Sequence, residues 1–323
     1  MPKSMSRAAL AALALLLAPL VAGPARAEYP DKIIRIINPF PPGVSTDVLA
    51  RGLAQKLTEY LGQSVIVESR PGANGILAST TVAKSEPDGY TMLLTTGSHV
   101  ANPIVQKHVL YDPVKDFSPV TLLAQSYGLA LVSNLPGKSV ADIVALAKQK
   151  PGTLTYATSG VGNLTHVAGR LFEVRAGISM TAVPYNTPAL MSDVIGGTVS
   201  MTFVSTVTAV PLVNAGTIKA FAITGSRRTP ALPDTPTMQE AGVKDYELLG
   251  WFGVLFPAST PRDRVERMHR EIARALQTPE LKKLIEDSGL YVDGAGPDAF
   301  KTFLENDVAY QTRLMDEIGL KPQ

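Results

Sequence analysis

Residues 32–61 read KIIRIINPFPPGVSTDVLARGLAQKLTEYL, and this stretch decides the fold class. Lys32 to Ile37 is an apolar run rich in β-branched residues, the pattern of a strand buried in a sheet. Pro39 to Gly43 then force a loop, because proline removes backbone donors and glycine permits a tight reversal. From Val48 the spacing changes, and Val48, Leu49, Leu53, Leu57 and Leu61 share one face of a helix. Strand, loop and helix in succession are the unit from which α/β proteins are built.

Outward from that stretch the same order returns. Ser64–Glu68 and Tyr90–Thr95 read as strands, with the small, helix-compatible segment Gly72–Lys84 between them. Leu129–Ser133 is a further strand. Ser139 then opens a helix, Asp142 completes a capping box, and Pro151-Gly152 ends it. Leu154–Thr158 is a strand that feeds Ser159-Gly160-Val161-Gly162 and a helix through Phe172. Val199–Val204 and Ile218–Thr224 are also β-rich. The C-terminal part is mostly helical: Thr260-Pro261 and Thr278-Pro279 both read as a cap followed by proline. There Val265, Met268, Ile272 and Leu276 form one apolar stripe of ordinary core packing. The alternation argues for parallel sheets joined by crossover helices. A chain of this length tends to split into two cores. Two crossings are expected, near Tyr127 and near Gly250-Trp251. They give one lobe of residues 28–126 and 252–323 and a second lobe of residues 127–251. Paired crossings make a hinge, and a hinge between α/β lobes makes a cleft that closes on a ligand.

The N-terminus speaks to compartment. Lys3 and Arg7 precede an apolar run from Ala8 to Val21, shorter than the roughly 20 residues a membrane span needs. Pro24 and Ala25-Arg26-Ala27 follow, so a signal peptide of residues 1–27 cleaved after Ala27 is expected, and with it a periplasmic location. Removing 27 of the 323 residues leaves 296, and losing Lys3, Arg7 and Arg26 takes the net charge from +2 to −1. No clustered basic face is present, so nucleic acid is not an expected partner. The chain has no cysteine, which leaves no disulfide, no thiolate metal site and no lipid-anchored form.

Three loops are rich in glycine and hydroxyls: Phe40 to Asp47, Thr158 to His166, and Tyr185-Asn186-Thr187-Pro188. Ligands of open α/β sheets bind where strands lead into helix N-termini. Free amides and the helix dipole there hold a carboxylate without arginine. Ser45, Thr46 or Asp47 is expected to cap the first helix. Catalytic patterns are weak. No G-x-S-x-G elbow is present. Gly160-Val161-Gly162-Asn163-Leu164-Thr165 has Thr165 where a dinucleotide loop needs its third glycine. His99, His108, His166 and His269 are scattered, and neighbours such as Ser98 and His99 generally point apart. His166 near Ser159 is the most enzyme-like pair. No cofactor and no metal site is expected.

The ordered set of these loops resembles the Bug (tripartite tricarboxylate transporter receptor, TctC-like) family of periplasmic solute-binding proteins. The resemblance spans essentially the whole mature chain. Its first half is carried by Pro39-Phe40-Pro41-Pro42-Gly43 with Asp47, Ala50 and Arg51, Glu68 to Gly75, Pro87-Asp88-Gly89-Tyr90, Asp116-Phe117 and Lys150-Pro151-Gly152. Gly160-Val161-Gly162 with His166 and Gly169, and Val183-Pro184-Tyr185, continue it. Leu232-Pro233-Asp234, Pro236-Thr237, Glu240-Ala241-Gly242, Gly250-Trp251-Phe252-Gly253 and Pro257 close it.

The resemblance implies an α/β, two-lobed Venus flytrap (type II periplasmic-binding-protein) fold. It implies a non-enzyme that captures a small organic acid for a tripartite tricarboxylate-type transporter or a sensor. The ligand's carboxylate would be held by the first loop, commonly through bridging waters. By position it points to Phe40, Gly43, Val44, Ser45 and Asp47, and to Ser98. It points equally to Thr158, Ser159, Gly162, Asn163, Thr165, Asn186 and Thr187, with Ser205 and Thr206 as wall residues. Membrane subunits of the transporter are the implied partners, and a monomer is expected. Two departures stand out. Val44 follows Gly43 where the family has paired glycines, and Asn186-Thr187 stand where it has Lys-Gly. The lost lysine favours a monocarboxylate or a partly neutral ligand over a di- or tricarboxylate. The competing readings are a periplasmic hydrolase using Ser159 and His166, and an orphan sensor or scaffold without a transporter.

Overall fold

In this computed structural model the described residues are 29–158, 164–185 and 189–320. The expected leader and its cleavage site at Ala27 lie outside them. Among the described residues no helix is long and apolar enough to cross a membrane.

The opening stretch folds as its pattern dictates. Strand β1, Ile34–Asn38, buries Ile34, Ile36 and Ile37 and turns Arg35 outward. Helix α1, Ser45–Leu61, buries Leu49, Leu53 and Leu57 and ends at Gly62 in the left-handed conformation. Then follow β2 (Val65–Ser69), a 3₁₀ turn (Ala73–Gly75), α2 (Ile76–Ala83), β3 (Thr91–Thr96), α3 (Ser98–Val105) and β4 (Phe117–Ser126). The middle of the chain gives β5 (Leu129–Ser133), α4 (Val140–Gln149), β6 (Thr155–Thr158), α5 (Leu164–Ala176) and β7 (Thr181–Pro184). It continues through α6 (Leu190–Ile195), β8 (Met201–Ser205), α7 (Thr206–Asn214) and β9 (Lys219–Ile223). The chain closes with β10 (Trp251–Pro257), α8 (Arg262–Leu276), α9 (Pro279–Asp287), β11 (Leu290–Ala295) and α10 (Pro297–Glu317).

These strands form two sheets, ordered β11-β4-β10-β3-β1-β2 and β7-β6-β8-β5-β9. The chain passes from the first sheet to the second between Ser126 and Leu129, and returns between Ile223 and Trp251. The sheets are mixed, which corrects the expectation of parallel ones. β1 lies parallel to β2 and β3, and β6 to β7 and β8. The returning strand β10 enters antiparallel between β3 and β4, while β11 pairs antiparallel with β4 and β5 with β8 and β9. A strand covered on both faces shows no periodicity that reports its direction, so the pattern alone could not reveal the reversal.

Each sheet has its own core. Ile37, Leu93, Leu122 and Leu255 pack in one, and Leu131, Tyr156, Leu171 and Phe203 in the other. Burial of each such side chain contributes about 1.5–3 kcal/mol. Helix α10 serves both cores: Phe300 and Leu304 join the first, while Leu314, Met315 and the following Ile318 join the second. Of the expected helix starts, Ser139 with Asp142 forms a full capping box, and the Thr278 hydroxyl accepts from the Leu281 amide ahead of Pro279. Thr260-Pro261 differs. Pro261 itself is the cap position of α8, and Thr260 donates its hydroxyl to the Pro257 carbonyl.

Candidate functional site

The loop from β1 to α1 is held by its own side chains. Asn38 donates from Nδ2 to the Phe40 carbonyl at 2.8 Å and to Ser69 Oγ at 3.1 Å. Gly43 has φ +87°, a region closed to most residues, and its amide donates to Asp47 Oδ2 at 2.9 Å. Arg51 Nε donates to the same oxygen at 2.9 Å. Donation from Arg51, helped by the Gly43 amide, holds the Asp47 carboxyl below its ordinary value against the opposing effect of burial.

None of Ser45, Thr46 or Asp47 caps the helix, contrary to expectation. The cap position is Val44, one residue earlier, and Asp47 reaches back to Gly43 instead. Val44 is extended at φ −85°, where a β-branched residue is comfortable, so its departure from glycine costs the backbone nothing. Its side chain is exposed. Among the described residues the first-turn amides thus have no side-chain cap. Three oxygens around this loop, Asn38 Oδ1, Thr46 Oγ1 and Asp47 Oδ1, are buried with no hydrogen-bond partner among the described residues. Groups of this kind are costly unless a water or ligand satisfies them.

The second and third loops lie at the carboxyl ends of β6 and β7. Ser159, Gly162, Asn163, Asn186 and Thr187 fall outside the described residues, so what is visible is their framing. Thr158 Oγ1 and Thr165 Oγ1 are 2.9 Å apart across the base of the second loop. The Tyr185 amide donates to the Thr158 carbonyl at 2.7 Å, which ties the start of the third loop to the second. Gly169 on α5 faces the buried Tyr156 ring so closely that a Cβ would overlap it, so only glycine lets α5 approach β6. His166 is nearly buried and lies over Tyr156 with ring centroids 6.4 Å apart. Burial and the nearby Arg170 charge lower its pKa.

Ser98 and His99 do point apart. Ser98 bonds to Thr96 Oγ1 at 3.1 Å on the cleft side. His99 is buried, with Nε2 on the Pro113 carbonyl at 3.0 Å and Nδ1 on Ser79 Oγ at 3.1 Å, stacked on Tyr111. A carbonyl only accepts, so Nε2 carries the proton and Nδ1 accepts from Ser79. Burial pushes this histidine down to about 4. His99 is a structural group.

A cavity of about 360 Å³ lies between the two sheets' layers. Of the expected residues it is lined by Phe40 and Ser98. Sequence reasoning missed the rest of its wall, which includes Asn74, Leu164, Phe252 and the α10 residues Asp307, Tyr310 and Gln311. The signal was present: Asp307, Tyr310 and Gln311 are spaced i, i+3, i+4 and so share one helix face. Asn74 takes a left-handed conformation at φ 53° and exchanges two hydrogen bonds of 3.0 Å with the buried Asn102. Ser205 and Thr206 do not line this cavity. Ser205 caps α7 by accepting from the Thr208 amide, and the Thr206 hydroxyl points to the Gly289 carbonyl at 3.5 Å.

The sequence profile of the tripartite tricarboxylate transporter family receptor matches residues 49–320. The chain belongs to that family. Its relatives include the protein BugT of Bordetella pertussis, 32% identical over 308 residues that cover 93% of this chain and 94% of BugT. Among solved structures, R. palustris Rpa4515 with adipate is 33% identical with a TM-score of 0.79, over 92% of this chain and all of that one. MatC from Rhodopseudomonas palustris with bound malate is 28% identical with a TM-score of 0.73, over 88% and 99% of the two chains. These neighbours carry the same two-lobed α/β architecture, and the family is one of solute-binding receptors.

Proposed function

We propose that this protein is a periplasmic receptor that captures a small organic acid in the cleft between its lobes and hands it to a tripartite transporter or a sensor. The observation that carries the reading is the first loop. Its helix amides are uncapped, and buried oxygens of Asn38, Thr46 and Asp47 stand beside them with no partner among the described residues. A carboxylate accepts from those amides directly and from the Thr46 hydroxyl. It cannot accept from the Asp47 carboxylate, so a water donating to both is the bridge that chemistry permits. The adipate and malate held by the related Rhodopseudomonas proteins support a carboxylate here. Ser45, Ser159, Gly162, Asn163, Thr165, Asn186 and Thr187 complete the proposed ligand shell. Residues 28–126 with 252–323, and residues 127–251, are the proposed lobes, and the membrane subunits of a tripartite transporter the proposed partners.

The chain acts by binding and not by turnover. Calorimetric titration of residues 28–323 with carboxylic acids should give saturable one-to-one binding, with the acid recovered unchanged. Conversion of the acid or of an ester, abolished by Ser159→Ala, would overturn the reading in favour of the hydrolase.

A further inference from the structure

The cavity lined by Phe40 and Ser98 also carries an acid, Asp307, in its wall. Asp307 on α10 accepts from Trp251 Nε1 at 2.9 Å and from Gln311 Nε2 at 2.7 Å, and both bonds go to Oδ2. Neither bond uses Oδ1. The wall around it is mostly apolar and aromatic, with Phe40, Leu164, Trp251, Phe252 and Tyr310 among its members, and among the described residues no Lys, Arg or His lines it. Amide and indole donors share the charge of Asp307 without neutralising it. Burial lifts this carboxyl to about 6, which leaves it mainly ionised at neutral pH.

We propose that Asp307 is a specificity-determining residue that keeps a second carboxylate out of this cavity, so that the ligand is an acid with one carboxylate on an apolar body. This rests on the carboxylate-receptor reading above and narrows it. A second carboxylate in this cavity would lose its water, meet a like charge and find no cationic side chain among the described residues of the wall. An apolar chain or ring loses nothing there and buries surface against the aromatic wall. Rejection by an uncompensated charge is a common way to build selectivity into a site. The volume, about a dozen water equivalents, admits a body of six or so carbons.

A series of equal length separates charge from size: hexanoate, adipate and 6-aminohexanoate, titrated calorimetrically into the wild-type protein and into Asp307→Asn. Asparagine keeps an oxygen for Trp251 and Gln311 and removes only the charge. The wild type should bind hexanoate at least tenfold tighter than adipate. 6-Aminohexanoate should bind more tightly relative to hexanoate in the wild type than in the variant. Asp307→Asn should shrink the hexanoate-to-adipate ratio at least threefold, leaving the part that desolvation of the second carboxylate contributes. Should the variant fail to fold, as judged by its circular dichroism, the wild-type order alone decides. Adipate, malate or citrate binding as tightly as hexanoate, or a ratio unmoved by Asp307→Asn, overturns this inference and leaves the receptor reading standing. Binding by no carboxylic acid at all removes both.

Discussion

The Gly43 amide donates to the Asp47 carboxylate across the first turn of α1, at 2.9 Å, and so fixes the loop that leads out of β1. A left-handed glycine and a nearly buried acid act as one device: the glycine permits the reversal and the acid holds it. Arg51 adds a bond to the same oxygen from an exposed position.

Asp47→Ala should therefore weaken carboxylate binding at least tenfold and cost about 1–3 kcal/mol of stability, because the Gly43 amide loses its acceptor and the loop its anchor. Arg51→Ala should cost less than about 1 kcal/mol, the usual worth of an ion pair with one exposed partner. Urea denaturation and calorimetric titration of both variants check the contrast. Equal effects from the two would show that the ion pair, not the loop bond, is what matters.

Gly169→Ala should destabilise by about 1–3 kcal/mol, the cost of overpacking a core that has no room to yield. The new methyl would strike the ring of Tyr156, which is fully buried. Displacing α5 from β6 should also spread the ends of the second loop, where Thr158 meets Thr165. Ligand affinity should fall together with the unfolding midpoint, and a loss of stability with unchanged affinity would separate the helix from the site.

His99 sets one component of the acid response. Its folded pKa, about 4, lies below the unfolded value near 6.5, so the unfolded chain binds its proton first as pH falls. The stability it contributes is present above about pH 6.5 and is lost as pH drops toward 4, up to roughly 3 kcal/mol. The difference in unfolding free energy between the wild type and His99→Gln, followed from pH 7.5 to 4.5, should shift in favour of the variant on acidification. A constant difference would contradict the buried neutral imidazole.

Asp307 works in the opposite direction. Its folded value of about 6 lies above the ordinary 3.8, so its contribution is full below about pH 4 and is lost as pH rises through 6. Relative to Asp307→Asn, the wild type should lose on the order of 2–3 kcal/mol between pH 4 and pH 7. Taking the difference removes the carboxyls held low by their partners, Asp47, Asp88 and Asp298 among them, which titrate with the reverse sign. A flat difference would mean that Asp307 is not desolvated.

Much of the fold was legible because its signals are local. The isoleucines of β1, the leucine face of α1 and the Ser139 box each report their element through a neighbour or a period. The direction of β10 and its place between β3 and β4 were not legible, since register across a distant pairing leaves no trace in either segment. The loop from Phe40 to Asp47 could be read as a unit because its residues are contiguous. Ser98 follows from the resemblance; Asp307 and Trp251 reach the same cavity from two further elements, and only the packing of α10 across both cores brings Asp307 there. In the sequence Asp307 is one of several acids on α10, and nothing local sets it apart.

The most direct test compares each acid with its own neutral amide. Thermal unfolding of residues 28–323 should be followed with matched pairs of mono-, di- and tricarboxylic acids and the corresponding amides. An acid at about 100 times its dissociation constant should stabilise the folded state by roughly 2.7 kcal/mol, a midpoint shift of several degrees. The account predicts that shift from at least one acid and none from the matching amide. Equal stabilisation by acid and amide, or by neither across the whole panel, would contradict a receptor that recognises the carboxylate.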